Sequence, residues 1–139
     1  MLVTGTFNIV HAGHVRLLEF ASRYGKVTVG INSDSYLRNK YGEERVVPLI
    51  DRTYVLKSNV FVAKVIVFLE DDPSALILKL KPSFVVKGPD YKKKVLPEQN
   101  SIDSVGAKLI IQPVLKEYNS SCLLHLLGES AFKKFDKFS

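Results

Sequence analysis

Short runs of β-branched and other apolar residues alternate along the chain with stretches whose apolar side chains recur at helical spacing. The strand-like runs fall at residues 2–4, 27–31, 65–69, 84–86 and 109–111. They show little polar alternation, as expected for parallel strands covered on both faces. Helical spacing falls at 14–24, 51–59, 74–80 and 101–105, and again in a C-terminal region at 121–135. Asp72 ahead of Pro73 supplies a capping carboxylate before a residue suited to a first helical turn, and Gly25 marks a helix end.

Strands alternating with helices imply βαβ units. Right-handed crossovers then make a Rossmann-like doubly wound parallel five-stranded sheet the simplest α/β topology. Ligands of such sheets sit at the carboxyl ends of the strands, near the point where strand order reverses. Five segments follow strands at that edge: 5–14, 32–34, 70–72, 87–91 and 113–121.

Composition changes this picture little. With 139 residues and 46% hydrophobic content, a single domain spanning 1–139 is expected, with a basic C-terminal helical tail at about 129–139. No apolar run approaches the roughly 20 residues that cross a bilayer, and the chain opens into a strand-like run rather than a charged leader. The expectation is a cytoplasmic protein with no membrane partner. Cys122, the single cysteine, reads as a small buried apolar residue. The net charge of +6 is compatible with nucleic acid or with a triphosphate. Much of it lies in Lys92, Lys93 and Lys94 and in Lys133, Lys134 and Lys137, and such runs are commonly solvated faces. No nucleic-acid partner is expected.

The chemistry concentrates in Gly5-Thr6-Phe7-Asn8-Ile9-Val10-His11-Ala12-Gly13-His14. The segment leaves a strand through a small residue and enters a helix with two imidazoles on one face. Backbone N–H groups at the first helical turn favour an anion, and Gly5 and Gly13 allow a phosphate to approach the main chain. An isolated histidine reads as a core or surface residue; two in this setting read as a phosphate cradle.

This segment resembles the signature of the cytidylyltransferase-like nucleotidyltransferase superfamily: a glycine, an aromatic, an acidic or amide residue, then His-x-Gly-His. The resemblance implies that His11 and His14 hold a triphosphate and stabilise charge at its α-phosphorus, with Gly5, Thr6, Phe7, Asn8 and Gly13 around the nucleotide. The superfamily usually carries aspartate where this chain has Asn8, which lacks the charge that attracts magnesium.

Three further stretches resemble the adenylyltransferase domains of the ADP-heptose synthase family. Glu70-Asp71-Asp72-Pro73 is followed by Lys81-Pro82-Ser83 and by Val86-Lys87-Gly88-Pro89-Asp90-Tyr91, where the family has an acidic-Thr-Pro turn, Lys-Pro-Asp and Val-Lys-Gly-Gly-Asp-Tyr. The resemblance makes Lys87, Gly88 and Asp90 candidates for nucleotide contacts, although Gly88-Pro89 is also a plain turn signal. Arg52 matches an arginine that opens a helix in the family, and a guanidinium grips phosphate bidentately. Lys40, read as part of the loop before it, adds a flexible charge, and Arg45 is a candidate for the acceptor; both also fit a solvated loop. Tyr118-Asn119-Ser120-Ser121 resembles Tyr-Ser-Thr-Thr, and Tyr118, Ser120 and Ser121 fit a helix cap and a phosphate site equally.

The resemblance implies attack by a substrate phosphate on the α-phosphorus with loss of pyrophosphate, His11, His14, Lys40 and Arg52 carrying the catalytic charge. Mg2+ would arrive with the nucleoside triphosphate rather than in a protein cage. ATP with a sugar phosphate such as heptose 1-phosphate is favoured, CTP with glycerol 3-phosphate or phosphoethanolamine is the alternative, and relatives are often homodimers. A noncatalytic nucleotide- or nucleic-acid-binding module is the rival from another class.

Overall fold

The computed structural model describes residues 1–92 and 95–113. The expected helix at 121–135, the basic tail, Cys122, Lys93, Lys94 and the candidates Tyr118, Ser120 and Ser121 lie outside them. The described elements are β1 (Leu2–Gly5), α1 (Ala12–Ser22), β2 (Val27–Asn32), α2 (Asp34–Tyr41), α3 (Leu49–Lys57), β3 (Val62–Phe68), α4 (Ser74–Leu80), β4 (Phe84–Lys87), α5 (Gln99–Ser104) and β5 (Lys108–Ile111). Short 3₁₀ turns occur at Glu43–Arg45 and Pro89–Tyr91.

The five strands form one sheet in the order β3-β2-β1-β4-β5, and every pairing is parallel. The chain winds outward from β1 to β3, then returns across the sheet to β4 and β5. Strand order therefore reverses between β1 and β4, and the loops leaving their carboxyl ends diverge to open a crevice. The expected doubly wound α/β sheet is the observed architecture.

Two apolar layers sandwich the sheet. On one face Val3, Val27, Val29, Ile31 and Val86 pack with Leu18 and Ala21 of α1 and Leu56 of α3. On the other, Leu2 and Val85 pack with Leu76 and Ile77 of α4 and Ile102 of α5. Successive residues of β1 and β4 feed opposite layers, which is why Leu2-Val3 and Val85-Val86 read as unbroken apolar runs. Gly30 sits where α4 comes closest: a Cβ there would lie 2.7 Å from Leu76 Cδ2 and 3.3 Å from Thr4 Cγ2. An added Cβ would displace the Leu76 side chain from its place against the sheet.

Two expectations change. β3 begins at Val62, three residues before the expected start, and ends at Phe68, leaving Leu69 exposed outside it. As an edge strand it carries the exposed residues Ala63 and Lys64, which hid its first half from an apolar-run criterion. Residues 34–41, read as loop, form α2, so Lys40 lies in the last turn of a helix. Ser33 caps it by accepting from the Tyr36 N–H at 3.3 Å, and Leu37 is its one buried residue. A helix with so little apolar face leaves almost no periodicity to detect.

Candidate functional site

The segment leaving β1 is organised around its two histidines. His11 caps α1 in an extended conformation, its Nδ1 accepting from the Gly13 N–H at 3.0 Å. His14 Nδ1 in turn accepts from the His11 N–H at 3.2 Å. This is a capping box in which imidazoles take the places of the usual Ser or Thr and Glu. With both Nδ1 atoms engaged as acceptors, each neutral ring must carry its proton on Nε2. The rings lie 4.0 Å apart between centroids and 35° from coplanar.

Burial, and after it the like charge of the neighbouring His11, lower the His14 pKa from 6.5 to about 4. Burial also lowers the His11 pKa. The pair is thus neutral at physiological pH and presents two Nε2–H donors in a fixed geometry.

Phe7 supports His14 from behind, ring centroids 5.1 Å apart, and is 3% exposed. Its φ of +44° lies in the left-handed region, a cost of about 1–3 kcal/mol for a bulky residue that its burial offsets. Gly5 makes room for it, since a Cβ at Gly5 would meet the Phe7 ring at 3.1 Å. Gly5 therefore serves the packing of Phe7, and the Gly13 N–H is already committed to His11.

Asn8 reaches across to the segment ahead of α3. Its Nδ2 donates to the Arg45 carbonyl at 2.6 Å, and its Oδ1 accepts from the Val47 N–H at 2.8 Å. Arg52 holds the same segment from below, Nε donating to the Val47 carbonyl at 2.8 Å. Its Nη1 donates to the carbonyls of Thr6 at 3.1 Å and Asn32 at 2.8 Å, and its Nη2 pairs with Asp34 Oδ1 at 2.7 Å. Arg52 is 1% exposed. This placement differs from the expected phosphate grip: four of the five N–H groups of a guanidinium are spent on the protein itself. The reason is local, because three strand-end and loop carbonyls converge where few other groups can satisfy them.

Lys87, at the carboxyl end of β4, is also buried. Its Nζ donates to Thr4 Oγ1 at 2.6 Å across the β1–β4 boundary and pairs with Glu98 Oε1 at 2.7 Å. The two charged side chains are 5% and 3% exposed. Tyr91 lies against the ammonium, 5.2 Å from ring centroid to Nζ. Burial raises the Tyr91 pKa, Glu98 adding to the shift and Lys40 opposing it. Lys40 is therefore within electrostatic reach of the same crevice, and its Nζ sits 5.9 Å from the Tyr36 ring centroid. Gly88 has open space where a Cβ would stand, and Asp90 lies in the following 3₁₀ turn.

The structure thus joins the expected residues into two groups. His11, His14, Phe7 and Gly5 form one; Lys87, Gly88, Asp90 and Tyr91 form the other on the far side of the strand-order reversal, with Asn8, Arg45 and Arg52 flanking the first. Sequence reasoning missed Thr4, Asp34 and Glu98. Each completes the pairing of a buried cation, and a search for the carboxylate or hydroxyl that must meet a lysine ending an apolar strand could have found two of them. Among the described residues no group of three or more His, Cys, Asp or Glu could hold a metal ion, and no helix is long and apolar enough to cross a membrane. Asn8 has both polar atoms committed to backbone. The described side chains therefore do not fit a protein-held ion.

Comparison with known proteins places this arrangement. The sequence profile of the cytidylyltransferase-like family matches residues 2–124. The chain belongs to the cytidylyltransferase-like family of nucleotidyltransferases. Among curated proteins it is similar to the bifunctional protein HldE of Streptomyces coelicolor, 41% identical over 129 residues covering 91% of this chain and 28% of that protein. It is 43% identical to the bifunctional protein HldE of Campylobacter jejuni over 107 residues, 76% of this chain and 23% of that protein. The chain thus spans about a quarter of the length of these relatives. Its fold is similar to that of a lipopolysaccharide core biosynthesis protein from Thermoplasma volcanium, with a TM-score of 0.69 at 24% identity, covering 83% of this chain and 96% of that one.

Proposed function

We propose that the chain transfers an adenylyl group from ATP to a sugar phosphate such as heptose 1-phosphate, with release of pyrophosphate. The observation that carries this reading is the neutral histidine pair, whose Nδ1 atoms are both locked by backbone N–H groups. Two fixed Nε2–H donors at a helix start brace an α-phosphate without themselves needing a proton from solvent. Similarity to the HldE proteins and the stretch from Lys87 to Tyr91 support the sugar phosphate.

An oxygen of the acceptor phosphate forms a bond to the α-phosphorus while the bond from that phosphorus to the β-bridging oxygen breaks, and pyrophosphate leaves with the electron pair. Positioning and charge neutralisation dominate such transfers. His11 and His14 hold the α-phosphate as negative charge builds. Lys40 and Arg45, both exposed, neutralise the outer phosphates and the acceptor. Lys87, fixed between Thr4 and Glu98, sets the floor of the crevice beside Gly88 and Asp90, where the nucleoside lies. Arg52 acts through the carbonyls it holds. Mg2+ accompanies the triphosphate, and no step here depends on a protein ligand to it.

The family's name also admits CTP, and the alternative reading pairs it with glycerol 3-phosphate or phosphoethanolamine. A pyrophosphate-release screen crossing ATP, CTP, GTP and UTP with heptose 1-phosphate, glycerol 3-phosphate and phosphoethanolamine separates the readings. ATP with heptose 1-phosphate is the expected positive pair; turnover only with CTP would replace the adenylyl assignment.

A further inference from the structure

Asn8 departs from the aspartate usual at its position, and the geometry explains why an amide is needed. Its two partners lie 37 and 39 residues away and make opposite demands. The Arg45 carbonyl needs a donor and the Val47 N–H needs an acceptor, and the carboxamide supplies both from one short side chain. Because a carbonyl accepts and an N–H donates, the partners also fix which end of the amide is which. An aspartate could still accept from Val47 but would set a carboxylate oxygen against the Arg45 carbonyl.

The clamp is continuous with Arg52. Val47 is held by its N–H from Asn8 and by its carbonyl from Arg52, and Arg52 also holds Thr6, two residues before Asn8. The exposed Arg45 is thereby fixed, through its own backbone, to the loop that carries His11 and His14.

We propose that Asn8 is a positioning residue for the acceptor: it clamps the 45–47 segment to the histidine loop and sets Arg45 to receive the dianionic phosphate of the attacking substrate. This rests on the adenylyltransferase reading for its ligand, not for its geometry. Position 8 consequently has no direct part in holding the triphosphate or its magnesium.

Asn8→Asp, Arg45→Ala and the double variant test this by steady-state kinetics. Asn8→Asp raises KM for the acceptor about 5- to 10-fold, the worth of one or two hydrogen bonds, with KM for ATP and the half-saturating magnesium concentration unchanged. The double variant is no worse than Arg45→Ala alone, since Asn8 acts through Arg45. Effects that multiply, or a shift confined to ATP or magnesium, would overturn the proposal. Amide exchange by NMR on the substrate-free protein checks the clamp independently of turnover. The Val47 amide loses protection in Asn8→Ala and keeps it in Asn8→Asp; a Val47 amide indifferent to both removes the clamp, even if no acceptor is ever turned over.

Discussion

Lys87 and Glu98 meet at 2.7 Å in a setting where both side chains are almost fully enclosed, and Thr4 takes a further proton of the same ammonium. The pair joins β4 to the start of α5 directly beside the reversal of strand order. Such a pair contributes little net stability while intact, because desolvation offsets its attraction, but losing one member leaves a charge stranded.

Glu98→Ala is accordingly expected to destabilise the fold by about 3–5 kcal/mol, measured by urea denaturation. The paired change Lys87→Met with Glu98→Leu should recover most of that loss while lowering activity. A double variant as unstable as Glu98→Ala would show that packing, not the stranded ammonium, sets the cost.

The histidine pair has a pH signature. His14 titrates from 6.5 in an unfolded chain to about 4 in the fold, so between those values the unfolded chain binds more protons. Stability is therefore fully present above pH 6.5 and is lost as pH falls toward 4. Imidazole NMR shifts should give a His14 midpoint near 4. At neutral pH they should show the Nε2–H tautomer for both rings. A midpoint at 6.5 would mean that the site is open to water.

Gly30→Ala should destabilise by about 1–3 kcal/mol, because its Cβ would meet Leu76 Cδ2 at 2.7 Å and force that buried side chain to repack. Thermal melts check this, and a neutral result would mean that the Leu76 side chain moves aside at no cost.

The parallel sheet was legible because Val27, Val29 and Ile31 of β2 are buried in one layer, and because Leu2-Val3 and Val85-Val86 place successive apolar residues in opposite layers. α2 was not, since Leu37 alone anchors it and its cap, Ser33, looks like any loop serine. At the site, the His-x-Gly-His spacing placed two imidazoles at a helix start, but that their Nδ1 atoms form a capping box shows only once the backbone N–H groups of His11 and Gly13 are beside them. Arg52 was misread for a physical reason: sequence shows that a guanidinium is present but not that the carbonyls of Thr6, Asn32 and Val47 converge on it. Asn8 likewise shows its purpose only once Arg45 and Val47 are beside it.

The central claim is that chemistry occurs at the histidine pair, and the kcat of His14→Ala in the ATP and heptose 1-phosphate reaction tests it most directly. Loss of a fixed donor to the developing charge predicts a fall of about 10²- to 10³-fold in a protein that still folds, its thermal transition lowered only by the lost capping acceptor. Turnover within a few-fold of the unaltered protein would contradict it.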